Sequence, residues 1–180
     1  MIQQDEMRGG VKLSELVKHL GLAVVNKGKD FENALVGIRD VNRPGLQLVG
    51  FFDYFDERRL QVIGMAETKM LESMTTEQRT ESFSRLFEYD IPALVVSRDL
   101  DIYPECLTMA RKHQRTLLHT ADTTVVFTTR VIEYLSLRLA PTITRHGVLL
   151  DIYGEGVMII GDSGIGKSET AIELVKRGHR

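Results

Sequence analysis

Gly161-Asp162-Ser163-Gly164-Ile165-Gly166-Lys167-Ser168 fits the spacing G-x-x-x-x-G-K-[ST] of a phosphate-binding loop. The chemistry asks for these residue types at these positions. Glycines let successive backbone N–H groups turn inward around phosphate oxygens, where a side chain would block the approach. Lys167 can bring its charge to the β- and γ-phosphates, and the Ser168 hydroxyl can ligate Mg²⁺. Polyphosphate, most simply a purine nucleotide, is the ligand this implies. The motif alone does not separate a kinase from an ATPase or a GTPase. The bland alternative is a glycine-rich turn that joins a strand to a helix.

Working outward, Gly156-Val157-Met158-Ile159-Ile160 reads as a short buried strand entering the loop. Ser168 to Lys176 reads as the helix leaving it, with its dipole aimed at the phosphate site. Upstream, Val148 to Ile152 and a turn at Gly154 to Gly156 predict a hairpin. A helix from Thr129 to Leu139 carries Val131, Leu135 and Leu139 in line and ends before Pro141. These elements place a domain boundary near residue 130, giving domains of residues 1–130 and 131–180.

The first of these reads as α/β. Val11 to Leu13 predicts a brief strand, and Ser14 is expected to cap a helix with Leu16, Val17 and Leu20 on one face, stopped at Gly21. Strands are expected at Ala34 to Ile38, Leu60 to Ile63, Ile91 to Val96 and Arg115 to Leu118, with a short edge at Val125-Val126. Helices are expected from Ala66, from Thr76 to Phe87, and over Pro104 to Lys112. Such alternation indicates a layered α/β domain. Gly45 to Phe55 is dense in aromatic residues (Phe51, Phe52, Tyr54, Phe55), which reads as core before it reads as an interface.

The chain has 180 residues, 43 % hydrophobic and 27 % charged, with a formal net charge of -2. That is ordinary globular composition without a basic run, so nucleic acid is not an expected partner. The lone Cys106 can form neither an internal disulfide nor a thiolate metal site, and reads as a small buried hydrophobe. The polar start Met1-Ile2-Gln3-Gln4-Asp5-Glu6 shows no signal sequence, and no apolar run is long enough for a membrane span. The expected location is the cytoplasm.

Two blocks bring a family into view. One is Arg43-Pro44-Gly45-Leu46-Gln47-Leu48 with Gly50-Phe51-Phe52-Asp53-Tyr54-Phe55. The other runs from Arg145-His146-Gly147-Val148 through the loop to Ser168-Glu169-Thr170 and on to Lys176-Arg177-Gly178-His179-Arg180. Over essentially its whole length the chain resembles the bacterial HPr kinase/phosphorylase family. The resemblance implies an enzyme that uses ATP and Mg²⁺ to phosphorylate a regulatory serine on the phosphocarrier protein HPr. It also implies removal of that phosphate by phosphorolysis, giving pyrophosphate, in the control of carbon catabolite repression. It further implies a homo-oligomer, a hexamer in the full-length family, and an N-terminal mixed-sheet α/β domain similar to the first domain of some cell-wall ligases. A P-loop kinase domain would begin after it.

Gly161, Asp162, Ser163, Gly164, Ile165, Gly166, Lys167 and Ser168 would then bind the nucleotide phosphates. Lys167 would stabilise the transferring phosphoryl group, Ser168 would hold Mg²⁺, and His146 matches the family's active-site histidine. From the residues alone, a histidine just before a strand reads as structural. The family's general base lies in an Ala-Asp-Asp segment beyond the Gly-His-Arg with which this sequence closes. The kinase domain is therefore expected to be incomplete and this chain inactive by itself. The alternative from a different class is a non-catalytic regulatory or interaction module made by the N-terminal domain.

Overall fold

The computed structural model describes residues 9–180. The polar start Met1–Glu6, on which the reading of no signal sequence rests, lies outside them. The described chain forms two compact units, one running to Ala140 and the other spanning Pro141–Arg180. Residue 130, where the sequence reading put the division, lies within a helix.

The first unit opens with strand β1 (Val11–Lys12), which runs directly into helix α1 (Leu13–Leu20). Lys12 takes the cap position, so Ser14 is not the cap. It lies inside the first turn, because the helix starts as soon as β1 releases the backbone. Gly21 ends α1 in the left-handed conformation (φ 68°), as glycine can without steric cost. Strand β2 (Ala23–Asn26) follows, then β3 (Leu35–Val36), which pairs antiparallel with β1, and β4 (Val41–Asn42).

A one-turn helix α2 (Gly45–Leu48) leads to β5 (Leu60–Ile63), α3 (Met65–Glu72) and α4 (Thr76–Glu88). Thr75 and Gln78 cap α4 reciprocally: Thr75 Oγ1 accepts from the Gln78 N–H, and Gln78 Oε1 from the Thr75 N–H. Then come β6 (Leu94–Val96), α5 (Pro104–Lys112) with proline at its first position, β7 (Leu117–His119) and α6 (Thr124–Arg138). Val125 and Val126, expected as a strand edge, belong to α6. Thr123 caps that helix, and Phe127, Val131 and Leu135 bury one face at helical spacing, which outweighs the strand preference of two valines.

Five strands form one mixed sheet in the order β2-β7-β6-β5-β4. Strands β4 to β7 are parallel and lie in sequence order, and β2 joins β7 antiparallel with a register shift between Val24 and Asn26. Alternation along the central strands divides the core. Leu60, Val62, Ala93, Val95 and Leu118 pack with Leu13, Leu16 and Leu20 of α1 and with Phe127, Val131 and Leu135 of α6. Ile63, Leu94, Val96 and Leu117 pack with Phe83, Leu86 and Phe87 of α4 and with Cys106, Met109 and Ala110 of α5. Full burial of each such side chain stabilises the fold by about 1.5–3 kcal/mol. Cys106 is the expected small hydrophobe, and burial pushes its thiol pKa above the ordinary range.

The aromatic segment after α2 divides between core and surface. Phe52 stacks on Tyr89 at 4.9 Å between ring centres, Phe55 meets the same ring edge-on at 5.1 Å, and both lie against the α4–α5 core. Phe51 is half exposed and Tyr54, at φ 62°, is fully exposed. A run of amides tethers this segment to the sheet. Asn42 donates to Gln61 at 2.7 Å and to Gln47 at 3.2 Å, and Gln47 donates to the Phe51 carbonyl at 3.2 Å. Gln61 and Gln47 are both buried, and these bonds satisfy groups that would otherwise be costly inside the fold.

The second unit is a hairpin followed by a helix. Strands β8 (Gly147–Ile152) and β9 (Glu155–Ile160) pair antiparallel, and α7 (Lys167–Lys176) follows the loop. Among its described residues, Leu150 and Ala171 are the only buried side chains.

Candidate functional site

Strand β9 ends at Ile160 and α7 begins at Lys167, so residues 161–166 cross from strand to helix as the spacing predicts. Two glycines have the backbone that this crossing needs, Gly164 at φ 82° and Gly166 at φ 94°. Gly166 occupies the α7 cap position in the left-handed region, where a Cβ is disfavoured. The N–H groups of the first helical turn have no partner inside the helix, and the helix dipole adds positive potential there. Thr170 returns both its N–H and its hydroxyl to the Gly166 carbonyl, each at 2.9 Å, which fixes the first turn on the loop.

Lys167 is folded across the loop. Its Nζ donates to the Gly161 carbonyl at 2.9 Å and to the Asp162 carbonyl at 2.6 Å. The ammonium is thereby held beside the α7 N-terminus. Asp162, Ser163, Gly164, Ile165 and Ser168 are exposed, with Ile165 68 % accessible. A dipole end, an ammonium and open backbone together suit a polyanion.

His146 precedes β8 and is exposed. Hairpin register decides its place. Gly147 pairs with Ile160, so His146 enters the hairpin at the end where Gly161 opens the loop. Among the described residues no hydrogen bond joins the two. Asp151 stands at the opposite end of β8, where its Oδ1 accepts from the Gly154 N–H at 2.8 Å and supports the turn.

For a divalent cation, the fit is that of a site shared with its ligand. Among the described residues no group of three or more His, Cys, Asp or Glu could hold a metal ion. The exposed Ser168 hydroxyl supplies one oxygen, and Mg²⁺ commonly takes the rest from phosphates and water.

A family model described as "HPr Serine kinase N terminus" matches residues 11–135, and one described as "HPr Serine kinase C-terminal domain" matches residues 137–180. The chain belongs to the HPr serine kinase family. Proteins named HPr kinase/phosphorylase are similar to it over nearly all its length. One from Alkaliphilus metalliredigens is 48 % identical over 169 residues, covering 94 % of this chain and 54 % of its own. One from Clostridium tetani is 46 % identical over 171 residues, covering 95 % and 55 %. One from Caldanaerobacter subterraneus subsp. tengcongensis is 48 % identical over 172 residues, covering 94 % and 55 %. The chain thus spans about half the length of these relatives.

Among solved structures, the chain resembles the CBS and DRTGG domains of the regulatory region of Clostridium perfringens pyrophosphatase, complexed with diadenosine tetraphosphate. The TM-score is 0.53 at 14 % identity, covering 76 % of this chain and 53 % of that one. At that identity the likeness concerns the fold alone. Among the described residues of this family member, no helix is long and apolar enough to cross a membrane.

The loop was evident in the sequence, but its internal contacts were not. The carbonyl partners of Lys167 are backbone atoms that no motif names. Tyr153 and His179, whose rings meet edge-to-face at 4.8 Å, also escaped the sequence reading. One signal was available for Tyr153: it holds a two-residue hairpin turn where Asn is the common choice.

Proposed function

We propose that this chain supplies the N-terminal domain and the phosphate loop of an ATP-dependent protein-serine kinase and phosphorylase whose substrate is the phosphocarrier protein HPr. The observation that carries the reading is the Lys167 ammonium held at the α7 N-terminus beside an open glycine loop. Family membership and the relatives' names support the substrate. In the kinase direction the serine oxygen attacks the γ-phosphorus of ATP, ADP leaves and the hydroxyl proton is released. In the phosphorylase direction an oxygen of inorganic phosphate attacks phosphoserine, giving pyrophosphate and the free serine. Residues 161–168 bind the phosphates, and Lys167 offsets charge on the transferring group. Ser168 would help hold Mg²⁺, which would supply charge neutralisation to the phosphates. His146, which enters the hairpin at the loop's end, takes the place of the family's active-site histidine. Control of carbon catabolite repression, a hexameric assembly and a cytoplasmic location belong to the same reading, as does inactivity of the 180-residue chain by itself.

Titration of this chain with a fluorescent ATP analogue and Mg²⁺ tests the loop. Saturable binding that Lys167→Ala weakens at least about tenfold is expected; no binding at millimolar ligand sinks the reading. The chemistry is tested by placing after Arg180 the part of the Alkaliphilus relative that lies beyond its match. The chimera is expected to phosphorylate intact HPr on serine with ATP and to release pyrophosphate from phospho-HPr with phosphate. Serine phosphorylation by the 180-residue chain alone would overturn its proposed inactivity.

A second reading rests on Leu46 of α2 and on Val49, Phe51 and Tyr54 after it, which stand 61 %, 58 %, 47 % and 103 % exposed. There the N-terminal domain is a protein-interaction module. Pull-down of intact HPr by wild type but not by Phe51→Ser would support it, and equal capture would count against it.

A further inference from the structure

The turn between β8 and β9 consists of Tyr153 (φ 56°) and Gly154 (φ 88°). Two positive φ angles in a two-residue hairpin loop mark a turn that favours Asn-Gly. A bulky residue there is an outlier, held only where surrounding contacts determine it. Tyr153 has one such contact, the edge-to-face meeting with the His179 ring at 4.8 Å. Beside it, Asp151 and Arg180 exchange backbone hydrogen bonds, Asp151 N–H to Arg180 O at 2.5 Å and Arg180 N–H to Asp151 O at 3.1 Å. That reciprocal exchange is the pattern of an antiparallel pair. Gly178 (φ 97°) turns the chain out of α7 toward it, with the His179 N–H returning to the Leu174 carbonyl.

These contacts matter because little else holds α7. Among the described residues of the unit, Leu150 and Ala171 are the only buried side chains, too few to fix the direction of a ten-residue helix by packing. The phosphate loop joins one end of α7 and the Tyr153–His179 contact lies just past the other, about 15 Å away by helical rise. A rigid helix fastened at its far end has its near end aimed as well.

We infer that Tyr153 and His179 are positioning residues for the phosphate loop: their ring contact, with the Asp151–Arg180 backbone pair, clamps the C-terminal end of α7 to the β8–β9 turn. The clamp acts through α7 and touches no nucleotide. It rests on the reading of residues 161–168 as the nucleotide site only for its effect on binding.

Amide hydrogen exchange on the 180-residue chain tests the clamp without ligand. Tyr153→Asn keeps the turn and removes the ring. It is expected to speed exchange of the α7 amides about three- to tenfold, leaving α4 and α5 unchanged. Tyr153→Phe and His179→Phe, which keep an aromatic contact, are expected to restore wild-type exchange. The inference is overturned if Tyr153→Asn stays within twofold of wild type, or if the two phenylalanine variants behave like it. Titration with the ATP analogue and Mg²⁺ separates the two readings. A similar three- to tenfold loss of affinity in Tyr153→Asn, rescued in Tyr153→Phe, is expected. If wild type binds no nucleotide, the nucleotide reading fails while exchange still decides the clamp.

Discussion

Lys167 donates to the carbonyl oxygen of Asp162 at 2.6 Å, so the charged side chain of the motif is tied to the backbone of its own loop. The bond holds a flexible four-carbon stem near the place where phosphate charge would arrive, which reduces the entropy lost on binding. Lys167→Arg keeps the charge but replaces a compact ammonium with a planar fork that does not match two adjacent carbonyls. It is expected to weaken binding of the ATP analogue about tenfold or more, while the thermal midpoint stays within about 2 °C of wild type because the site is at the surface.

Gly166→Ala tests the loop backbone separately. Left-handed backbone at the α7 cap (φ 94°) costs an alanine about 1–2 kcal/mol. The expected result is faster proteolysis within residues 161–176 together with weaker nucleotide binding. An unchanged digestion pattern would show that the loop tolerates a Cβ.

In the first unit, Arg79 joins α4 to α5 through Glu105, at 2.7 Å with side chains only 16 % and 10 % exposed. Arg79 also donates to the Met74 carbonyl at 2.7 Å and lies over the Tyr103 ring at 5.0 Å. Hydrogen bonding from Arg79 holds the Glu105 carboxyl below its ordinary pKa. The folded value lies below the unfolded one, so the contribution is complete above the unfolded pKa, about 4.3, and is lost as pH falls through the folded value. Breaking the pair with Arg79→Ala is expected to cost about 3 kcal/mol at pH 7. Urea melts should show that deficit shrinking below about pH 4; a deficit constant down to pH 2 would remove the ionic explanation.

Phe87 is fully buried among α4, α5 and the sheet. Phe87→Ala is expected to destabilise the first unit by about 3–5 kcal/mol in denaturant melts. Tyr54→Ala, at a fully exposed position, should fall within about 0.5 kcal/mol of wild type. Similar losses for the two would show that Tyr54 packs against something in solution.

Much of this architecture could be read from the chain where one signal dominated. Helix α5 was placed residue for residue because Pro104 opens it, and Cys106, Met109 and Ala110 keep one face apolar. The hairpin was legible too, but its turn lies at Tyr153-Gly154 and not at Gly154 to Gly156. The strand entering the loop, expected to be buried, is mostly exposed. What escaped depends on tertiary partners. Strand β2 follows Gly21 by one residue and carries exposed Ala23 and Val24, so it lacks the alternation that marks a half-buried strand, and only pairing with β7 defines it. Val125-Val126 looked like strand because β-branching is a local preference, whereas the cap at Thr123 and the face of Phe127, Val131 and Leu135 act over the whole helix. In the second unit the motif named the loop residues. The Lys167–Asp162 and Tyr153–His179 contacts require folded geometry.

The two edges of the five-stranded sheet share a property. Strand β2 is irregular between Val24 and Asn26, and β4 contributes only Val41 and Asn42 before Pro44, which has no N–H to donate. Neither margin presents a straight row of free backbone groups, so the sheet is a poor template for an incoming strand. This domain can be concentrated, or brought beside copies of itself, with little tendency to polymerise through its sheet.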